Sequence, residues 1–375
     1  MDDRMDDFAR RVLRWYDRHG RHDLPWQHPR TPYRVWVSEV MLQQTQVATV
    51  IAYFERFVTA LPDIRALAAA PEDRVMALWS GLGYYRRARY LHVAARVCVA
   101  QHQGELPRDF GALAALPGIG RSTAGAILAL ARAQRHAILD GNVKRLLSRH
   151  HGLRGWPGVR AVENALWTHA ETHTPSTRVA DYTQAVMDLG ATVCTRGNPH
   201  CNQCPLAHDC IALRDGLTTE IPAPRPARAL PEKHLVLVLL RDPQDRVLLQ
   251  RRPVQGVWPG LWSLPEAGDN RGARGLASRL AELDGKPAIA LPEIRHAFTH
   301  FKLLASPLEW RHAQAHPAVA DVSDLRWCSQ SDIMELGMPE PIRKLLGQRL
   351  APARRDAGTR HIDRLEPPQP APALF

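Results

Sequence analysis

The stretch from Leu116 to Asp140 narrows the possible folds more than any other part of this chain. It holds a Leu116-Pro117-Gly118-Ile119-Gly120 turn, a helical run from Ser122 to about Ala131, and a lone acid, Asp140, opening the next helix. Two glycines one residue apart let the backbone turn tightly and come close to a partner. The N–H groups at the start of the following helix point outward as anion donors, so a phosphate can sit there. An ordinary helix-turn-helix whose glycines serve only the turn fits the same residues, and other parts of the chain must decide.

The 375 residues exceed a usual single-domain core, so two domains and a linker are expected. Lysine and arginine outnumber acids 49 to 38, a formal charge of +11 that favours a polyanionic partner, nucleic acid foremost. Met1 to Arg11 is charged throughout, unlike a signal peptide, and no run of about 18 apolar residues could span a bilayer. A cytoplasmic, nucleoid-associated monomer is expected.

In chain order, Phe8, Val12, Trp15 and Tyr16 predict a packing helix over Asp7 to Arg18 that stops at Gly20. Thr31-Pro32 supplies an N-cap and a first-turn proline for a helix from Tyr33 to Leu42 carrying Glu39. Gln43-Gln44-Thr45 breaks the rhythm before a helix through Val47, Val50, Ile51, Phe54 and Phe57. Pro71 opens a short helix, Gly81-Leu82-Gly83 turns, and Tyr84 to about Ala100 reads as a basic helix. Its Arg86, Arg87 and Arg89 are read as exposed, lining a DNA-backbone groove or solvating a helix face. Helices from Gly141 to Arg149, capped by Asp140, and from Asp181 to Leu189, ending at Gly190, complete an all-α first domain over 1–217.

Pro222, Pro224, Pro226 and Pro231 then predict an extended linker over 218–232. Beyond it, apolar runs at His234 to Leu240, Arg246 to Gln250, Ala297 to Leu304 and Asp324 to Trp327 predict strands of an α+β domain over 233–350. Residues 351–375 lack periodicity and predict a disordered tail.

Four of the six cysteines, Cys194, Cys201, Cys204 and Cys210, crowd into seventeen residues with the spacing Cys-x6-Cys-x2-Cys-x5-Cys. An intracellular chain would not keep them as disulfides. Structural zinc sites usually join two short Cys-x2–4-Cys knuckles, and only one close pair is present here. The spacing suits a 4Fe–4S cluster better than zinc. Arg196 and His200 beside it are placed to meet DNA phosphates.

The glycine turn, the aspartate about twenty residues on, and the four-cysteine loop together resemble the endonuclease III-like, helix-hairpin-helix DNA glycosylase superfamily. Within it, Ser38-Glu39-Val40-Met41-Leu42-Gln43-Gln44-Thr45-Gln46-Val47, Gly81-Leu82-Gly83-Tyr84-Tyr85 and Leu139-Asp140-Gly141-Asn142-Val143-Lys144-Arg145 resemble the MutY-type adenine DNA glycosylases, nearly unbroken from Asp23 to Cys210. The resemblance implies excision of adenine mispaired with 8-oxoguanine or guanine in duplex DNA, one 4Fe–4S cluster, and an appended Nudix-like domain that inspects the oxidised base. The tryptophan-rich stretch Gly256 to Pro265 is similar to that appendage.

The chemistry of individual residues agrees. Adenine is a poor leaving group and must be protonated, so an acid kept protonated near neutral pH is needed. Glu39, beside Val37, Val40 and Met41, fits, because burial disfavours its charged form. Asp140 supplies the negative charge that stabilises an oxocarbenium-like sugar. The resemblance gives Asn142 the task of orienting sugar or water, and places Gln44, Leu82 and Tyr84 at a wedge that fills the vacated stack, with Thr45 as a further substrate-binding residue. It also puts Trp26 and Gln184 near the adenine pocket and Gly118, Gly120 and Ser122 at the DNA clamp. Strand-cleaving relatives carry a lysine where this chain has Ser122, and a hydroxyl cannot form a Schiff base, so a monofunctional enzyme is expected. Phe298-Thr299-His300 resembles the family's Phe-Ser-His recognition loop, keeping a hydroxyl and adding a methyl. Between Glu266 and Gly285 only Arg279, Glu282 and Asp284 survive, out of spacing, from the magnesium-binding Nudix pattern, so the second domain should not hydrolyse nucleotides. The rival readings are a bifunctional glycosylase/lyase for oxidised pyrimidines and a non-catalytic DNA-binding protein.

Overall fold

The computed structural model describes residues 5–226, 229–253, 256–316 and 324–350. The first part is helical throughout: α1 (Asp7–His19), α2 (Pro32–Leu42), α3 (Val47–Ala60), α4 (Ile64–Ala69), α5 (Glu72–Trp79), α6 (Arg86–Gln101), α7 (Phe110–Ala114), α8 (Arg121–Arg132), α9 (Gly141–His150), α10 (Arg160–His173), α11 (Val179–Thr192) and α12 (Ile211–Arg214). Side-chain oxygens of Asp6, Thr31, Asp63, Asp109 and Asp140 cap α1, α2, α4, α7 and α9 by accepting orphan backbone N–H groups. The hairpin helix α8 is buried along Ala124–Leu130 and packs on α2, α7 and α11. It therefore sits at the centre of the domain, with the glycine turn projecting from its N-terminus.

Four helices of the first domain, α4, α7, α10 and α12, escape the sequence reading. Three of them, α4, α7 and α12, are too short to show a period, and α10 buries only Leu166 and Ala170 on an otherwise polar surface. Gly190 does not end α11, which continues to Thr192. An added Cβ there would lie 2.7 Å from Asn142 Cβ, so this glycine serves close helix approach rather than termination.

The proline-rich segment is not a loose tether at its start. Ile221 is buried, its carbonyl accepts from Arg149 Nε at 2.9 Å, and Ala223 N donates to Gly155 O. First-domain packing thus runs past the expected boundary at 217.

The second domain contains β1 (Glu232–Leu240), β2 (Val247–Arg251), β3 (Trp262–Ser263), β4 (Glu266–Ala267), α13 (Asn270–Leu280), β5 (Ala281–Glu282), β6 (Ile289–Ala290), β7 (Ile294–Ala297), β8 (Lys302–Trp310), β9 (Gln314–Ala315), β10 (Leu325–Cys328), α14 (Gln330–Glu335) and α15 (Glu340–Leu350). β1 runs parallel to β8 from the Glu232–Lys302 pair to Leu240–Trp310, with β4 antiparallel on its other edge and β6 and β7 on β8. A second sheet has the order β10-β2-β3. Burial of Val236–Leu240 on both faces explains why β1 reads as a continuous apolar run. The expected strand Ala297 to Leu304 is divided: β7 ends at Ala297, the chain turns through Phe298–Phe301, and β8 starts at Lys302. The expected tail at 351–375 lies outside the described residues.

The two domains share one apolar core. Met76 of α5 packs under Gly337, where a Cβ would come within 2.2 Å. Asp73 accepts from Arg251 Nη2 (2.6 Å) and Trp262 Nε1 (3.2 Å), Arg89 Nη2 donates to Pro259 O (3.0 Å), and Tyr85 Oη donates to Met338 O (2.9 Å). Tyr85 and Arg89 follow the Leu82–Tyr84 stretch directly, so the second domain packs beside it.

Candidate active site and cysteine centre

Glu39 lies two turns into α2 with Ser38 and Val40 buried on either side, yet part of its side chain reaches open space. Burial, with a further push from the charge of Asp140, raises its carboxyl to about 8, so it is protonated at neutral pH. The two acids therefore stand within electrostatic reach although 101 positions apart in sequence. Burial also raises Asp140, while the backbone N–H groups of Val143 and Asn142 and the charge of Arg145 pull it back toward the ionised form. Asp140 is both an N-cap and a candidate charge stabiliser: Oδ1 accepts from Val143 N at 2.7 Å, and Oδ2 takes Asn142 Nδ2 at 3.4 Å.

Asn142 is held in turn by Arg145. Arg145 Nη2 donates to Asn142 Oδ1 (2.9 Å) and to Gly190 O (2.7 Å), and Nε donates to Cys194 O (2.7 Å). One turn further along α9, buried Arg149 donates to Cys194 Sγ (3.4 Å), Thr195 O (2.6 Å), Arg196 O (3.1 Å) and Ile221 O. Helix α9 thus offers the candidate carboxylate at its start and two guanidiniums to the cysteine loop. The sequence reading gave neither arginine a role, although their four-residue spacing puts them on one helix face.

The other unforeseen residue is Arg87. It is buried rather than exposed, and it donates to Val40 O (3.0 Å), Met41 O (2.8 Å), Gln43 O, Thr45 Oγ1 (3.2 Å), Leu82 O (3.3 Å) and Gly83 O (3.2 Å). One side chain sews the Gln43–Thr45 and Leu82–Gly83 turns together. Of the three arginines read as exposed, only Arg86 is; Arg89 pairs with Glu72 at 3.0 Å and reaches the second domain. Gln44 and Tyr84 both hold left-handed backbone, φ 58° and 47°, where non-glycine residues are strained, and Tyr84 is half exposed. Leu82, expected at the same wedge, is buried.

Trp26 is a core residue, edge-on to Phe54 at 5.4 Å. Gln184 is buried on α11 and donates to Asp188 Oδ1 at 2.8 Å; Asp188 is in turn paired with Arg21. Ser122 Oγ accepts from Leu139 N at 2.9 Å, tying the start of α8 to the residue before Asp140. Gly118 has φ 79° and lies against Tyr90, whereas a Cβ on Gly120, the N-cap of α8, would meet nothing within 4 Å. The space over that helix start is open, as an anion-binding turn requires.

No disulfide joins Cys194, Cys201, Cys204 and Cys210, and all four line one cavity. Burial, and then the charges of the other three cysteines, pushes the Cys204 thiol up to about 12. One buried and three partly buried cysteine sulfurs lining one cavity beside Arg149 form a donor set that a polycationic centre would satisfy. In the second domain Phe298 N donates to Phe301 O (2.8 Å) and the two rings stack at 4.5 Å, closing a tight turn. That turn leaves Thr299 and His300 exposed at its tip. Glu266 Oε1 pairs with Arg252 Nη2 at 2.5 Å.

Comparison with known proteins agrees with this architecture. The HhH-GPD superfamily of base excision DNA repair proteins matches residues 37–171, and the NUDIX domain family matches residues 236–348. The adenine DNA glycosylase of Buchnera aphidicola from Schizaphis graminum is 34% identical over 340 residues, 90% of this chain and 97% of that protein. The human adenine DNA glycosylase is 33% identical over 399 residues, 90% of this chain and 73% of that protein. Among solved structures, a thermostable thymine-DNA glycosylase superposes with a TM-score of 0.50 at 27% identity, over 56% of this chain and 95% of that one. With a hairpin helix, a raised glutamate and an aspartate gathered on one helical scaffold and a Nudix-like domain docked beside it, the chain belongs to the adenine DNA glycosylases, DNA-binding enzymes of base excision repair.

Proposed function

We propose that the enzyme hydrolyses the N-glycosidic bond of adenine paired with 8-oxoguanine or guanine, and that it does so as a monomer without cleaving the strand. The observation that carries this reading is the Glu39 carboxyl, raised to about 8 beside Asp140. Protonated Glu39 gives its proton to a ring nitrogen of the flipped adenine, and the bonding pair of the glycosidic bond leaves with the base. Asp140 Oδ2 offers negative charge to the electron-poor sugar, with Asn142 oriented by Arg145 at its side. Water then adds to the sugar carbon, and the Glu39 carboxylate recovers its proton from that water. Ser122 presents a hydroxyl already engaged by Leu139 N, so this position offers no amine for Schiff-base chemistry.

Cys194, Cys201, Cys204 and Cys210 would hold the 4Fe–4S cluster, which would shape the loop between α11 and α12 and supplies no step of the hydrolysis. Thr299 and His300 would meet the base opposite the adenine. The test is single-turnover base release from duplexes with adenine opposite 8-oxoguanine, guanine or thymine. Release should be fastest opposite 8-oxoguanine and slowest opposite thymine. Equal rates on all three, or efficient borohydride trapping of a protein–DNA adduct, would overturn the reading.

A further inference from the structure

Three histidines at the far end of α9 and in the last turns of α10 play no part in the chemistry above. His151 follows α9 directly, while His169 and His173 stand four residues apart on one face of α10. One ligand atom from each lies within 4.8 Å of the other two. His151 Nε2 and His173 Nε2 are 2.9 Å apart, and the His151 and His169 rings stack with centroids at 3.6 Å. The other nitrogen of His173, Nδ1, donates to Asp6, and Phe8 lies flat on the same ring at 4.1 Å. A histidine whose outer nitrogen is held by a carboxylate keeps a lone pair on the inner one, which is how metal-binding imidazoles are oriented.

We propose that His151, His169 and His173 bind one zinc ion, with water as the fourth ligand, clamping α1, α9 and α10 beside the cysteine loop. The donor set selects the metal class. Three imidazoles without a carboxylate in direct reach suit a borderline ion such as zinc and not calcium or magnesium, which take oxygen ligands. Zn–N bonds of 2.0–2.1 Å in a tetrahedron put ligand nitrogens about 3.3 Å apart, inside the 2.9 to 4.8 Å range present here. The stacked rings must fan apart, and His169, partly exposed on the surface of α10, has room to turn. Two helix C-termini converge at the site, and their negative dipole ends favour a cation. The competing arrangement, a plain imidazole–imidazole hydrogen bond, satisfies His151 and His173 and needs nothing from His169.

That difference sets the experiment. Full-length protein with its cysteine centre intact is dialysed against a chelator, then titrated with zinc chloride alone, and bound zinc is measured after gel filtration. One zinc per chain is expected, with affinity falling at least tenfold in His169→Ala and in the bulk-preserving His169→Gln. Zinc should raise the melting temperature of the wild type and leave both variants unchanged. Cobalt chloride should give weak visible bands typical of nitrogen and oxygen ligands. Intense thiolate-to-cobalt charge-transfer absorption would locate the metal on the cysteines and overturn the proposal. Zinc uptake equal in wild type and both His169 variants, or none in any of them, would overturn it as well.

Discussion

Gly190 and Asn142 touch at a spacing that leaves no room for a side chain: a Cβ on Gly190 would lie 2.7 Å from Asn142 Cβ and 3.0 Å from Asn142 O. The start of α9, where Asp140 and Asn142 sit, is thereby seated against α11. Gly190→Ala must push the two helices apart by several tenths of an ångström at backbone, at a stability cost of about 1–3 kcal/mol for overpacking. Misplacement of that size near the reacting atoms should slow single-turnover base release by about tenfold or more. Duplex affinity should change little, because the Gly118–Gly120 turn at the start of α8 is not among the atoms that a Cβ on Gly190 would meet. Unchanged base release in the variant would show that the seat of α9 on α11 does not position Asn142.

Glu39 makes a prediction in pH. Its folded carboxyl is raised to about 8 from an ordinary value near 4.5, so base release should decline as pH rises through about 8. Glu39→Gln should bind duplex normally and lose base release by about 10²–10⁴. The same shift acts on stability. A carboxyl raised on folding leaves the folded state holding the extra proton, so its contribution is full below about 4.5 and is lost as pH climbs toward 8. The variant should therefore be more stable than wild type at pH 8, by about 4 kcal/mol at most, and nearly equal at pH 4.5. Denaturant titrations at the two pH values check the sign.

Arg87 is where a buried charge organises the site. Removing it in Arg87→Ala leaves five backbone carbonyls and the Thr45 hydroxyl without this donor, at about 1–3 kcal/mol for each that stays buried. The variant should lose several kcal/mol in urea unfolding. It should also let the Gln44 and Tyr84 turns move independently, which a fluorescent adenine analogue in the duplex would report as impaired flipping. Arg87→Lys should rescue little, because one ammonium cannot span both turns.

The main organisation of the protein was legible in its sequence because it rests on local chemistry. Thr31-Pro32 caps α2, Asp140 caps α9, and Gly118 needs positive φ, so each leaves its mark within a few residues. Arg87 was misread because burial is decided by what the chain brings from elsewhere. The 43–45 turn lies some forty residues away, and nothing in Arg86-Arg87-Ala88-Arg89 distinguishes the buried guanidinium from its neighbours. The turn at Thr299–His300 was legible through the family resemblance and not in the local pattern, for another reason. Ala297 to Leu304 is apolar enough to pass as one strand, with no glycine or proline to mark the turn through Phe298–Phe301.

Ser122 separates hydrolysis from strand cleavage. Wild-type protein mixed with substrate duplex and borohydride should give almost no covalent adduct, since the residue offers only a hydroxyl. Ser122→Lys should gain measurable trapping, because the position adjoins Leu139 and so lies next to Asp140. It should also lose some stability through the missing bond to Leu139 N, about 1 kcal/mol. Absence of trapping in a folded Ser122→Lys protein would show that this position does not face the sugar.

Chemistry and discrimination should divide between the domains, since Glu39, Asp140 and the clamp precede the linker while Thr299 and His300 follow it. A truncation to isolate the first domain should end after Pro226 rather than at Leu217, because Arg149 holds Ile221 O and Gly155 O accepts from Ala223 N. Cutting at Leu217 would leave the buried Arg149 Nε, one of the guanidinium donors beside Cys194, without its acceptor. The longer piece should still release adenine, although loss of the contacts from Arg89, Tyr85 and Met76 to the second domain should lower its stability. Its preference for adenine opposite 8-oxoguanine over guanine should shrink by about tenfold or more, taking about 1–3 kcal/mol for each hydrogen bond lost to a base edge. Thr299→Ala in the full chain should reproduce part of that loss without disturbing the fold, because the side chain is exposed and the turn is closed by Phe298 and Phe301. If the truncated enzyme and Thr299→Ala both kept the full preference, recognition of the opposite base would have to reside in the helical domain, with the exposed Tyr84 as the next residue to test.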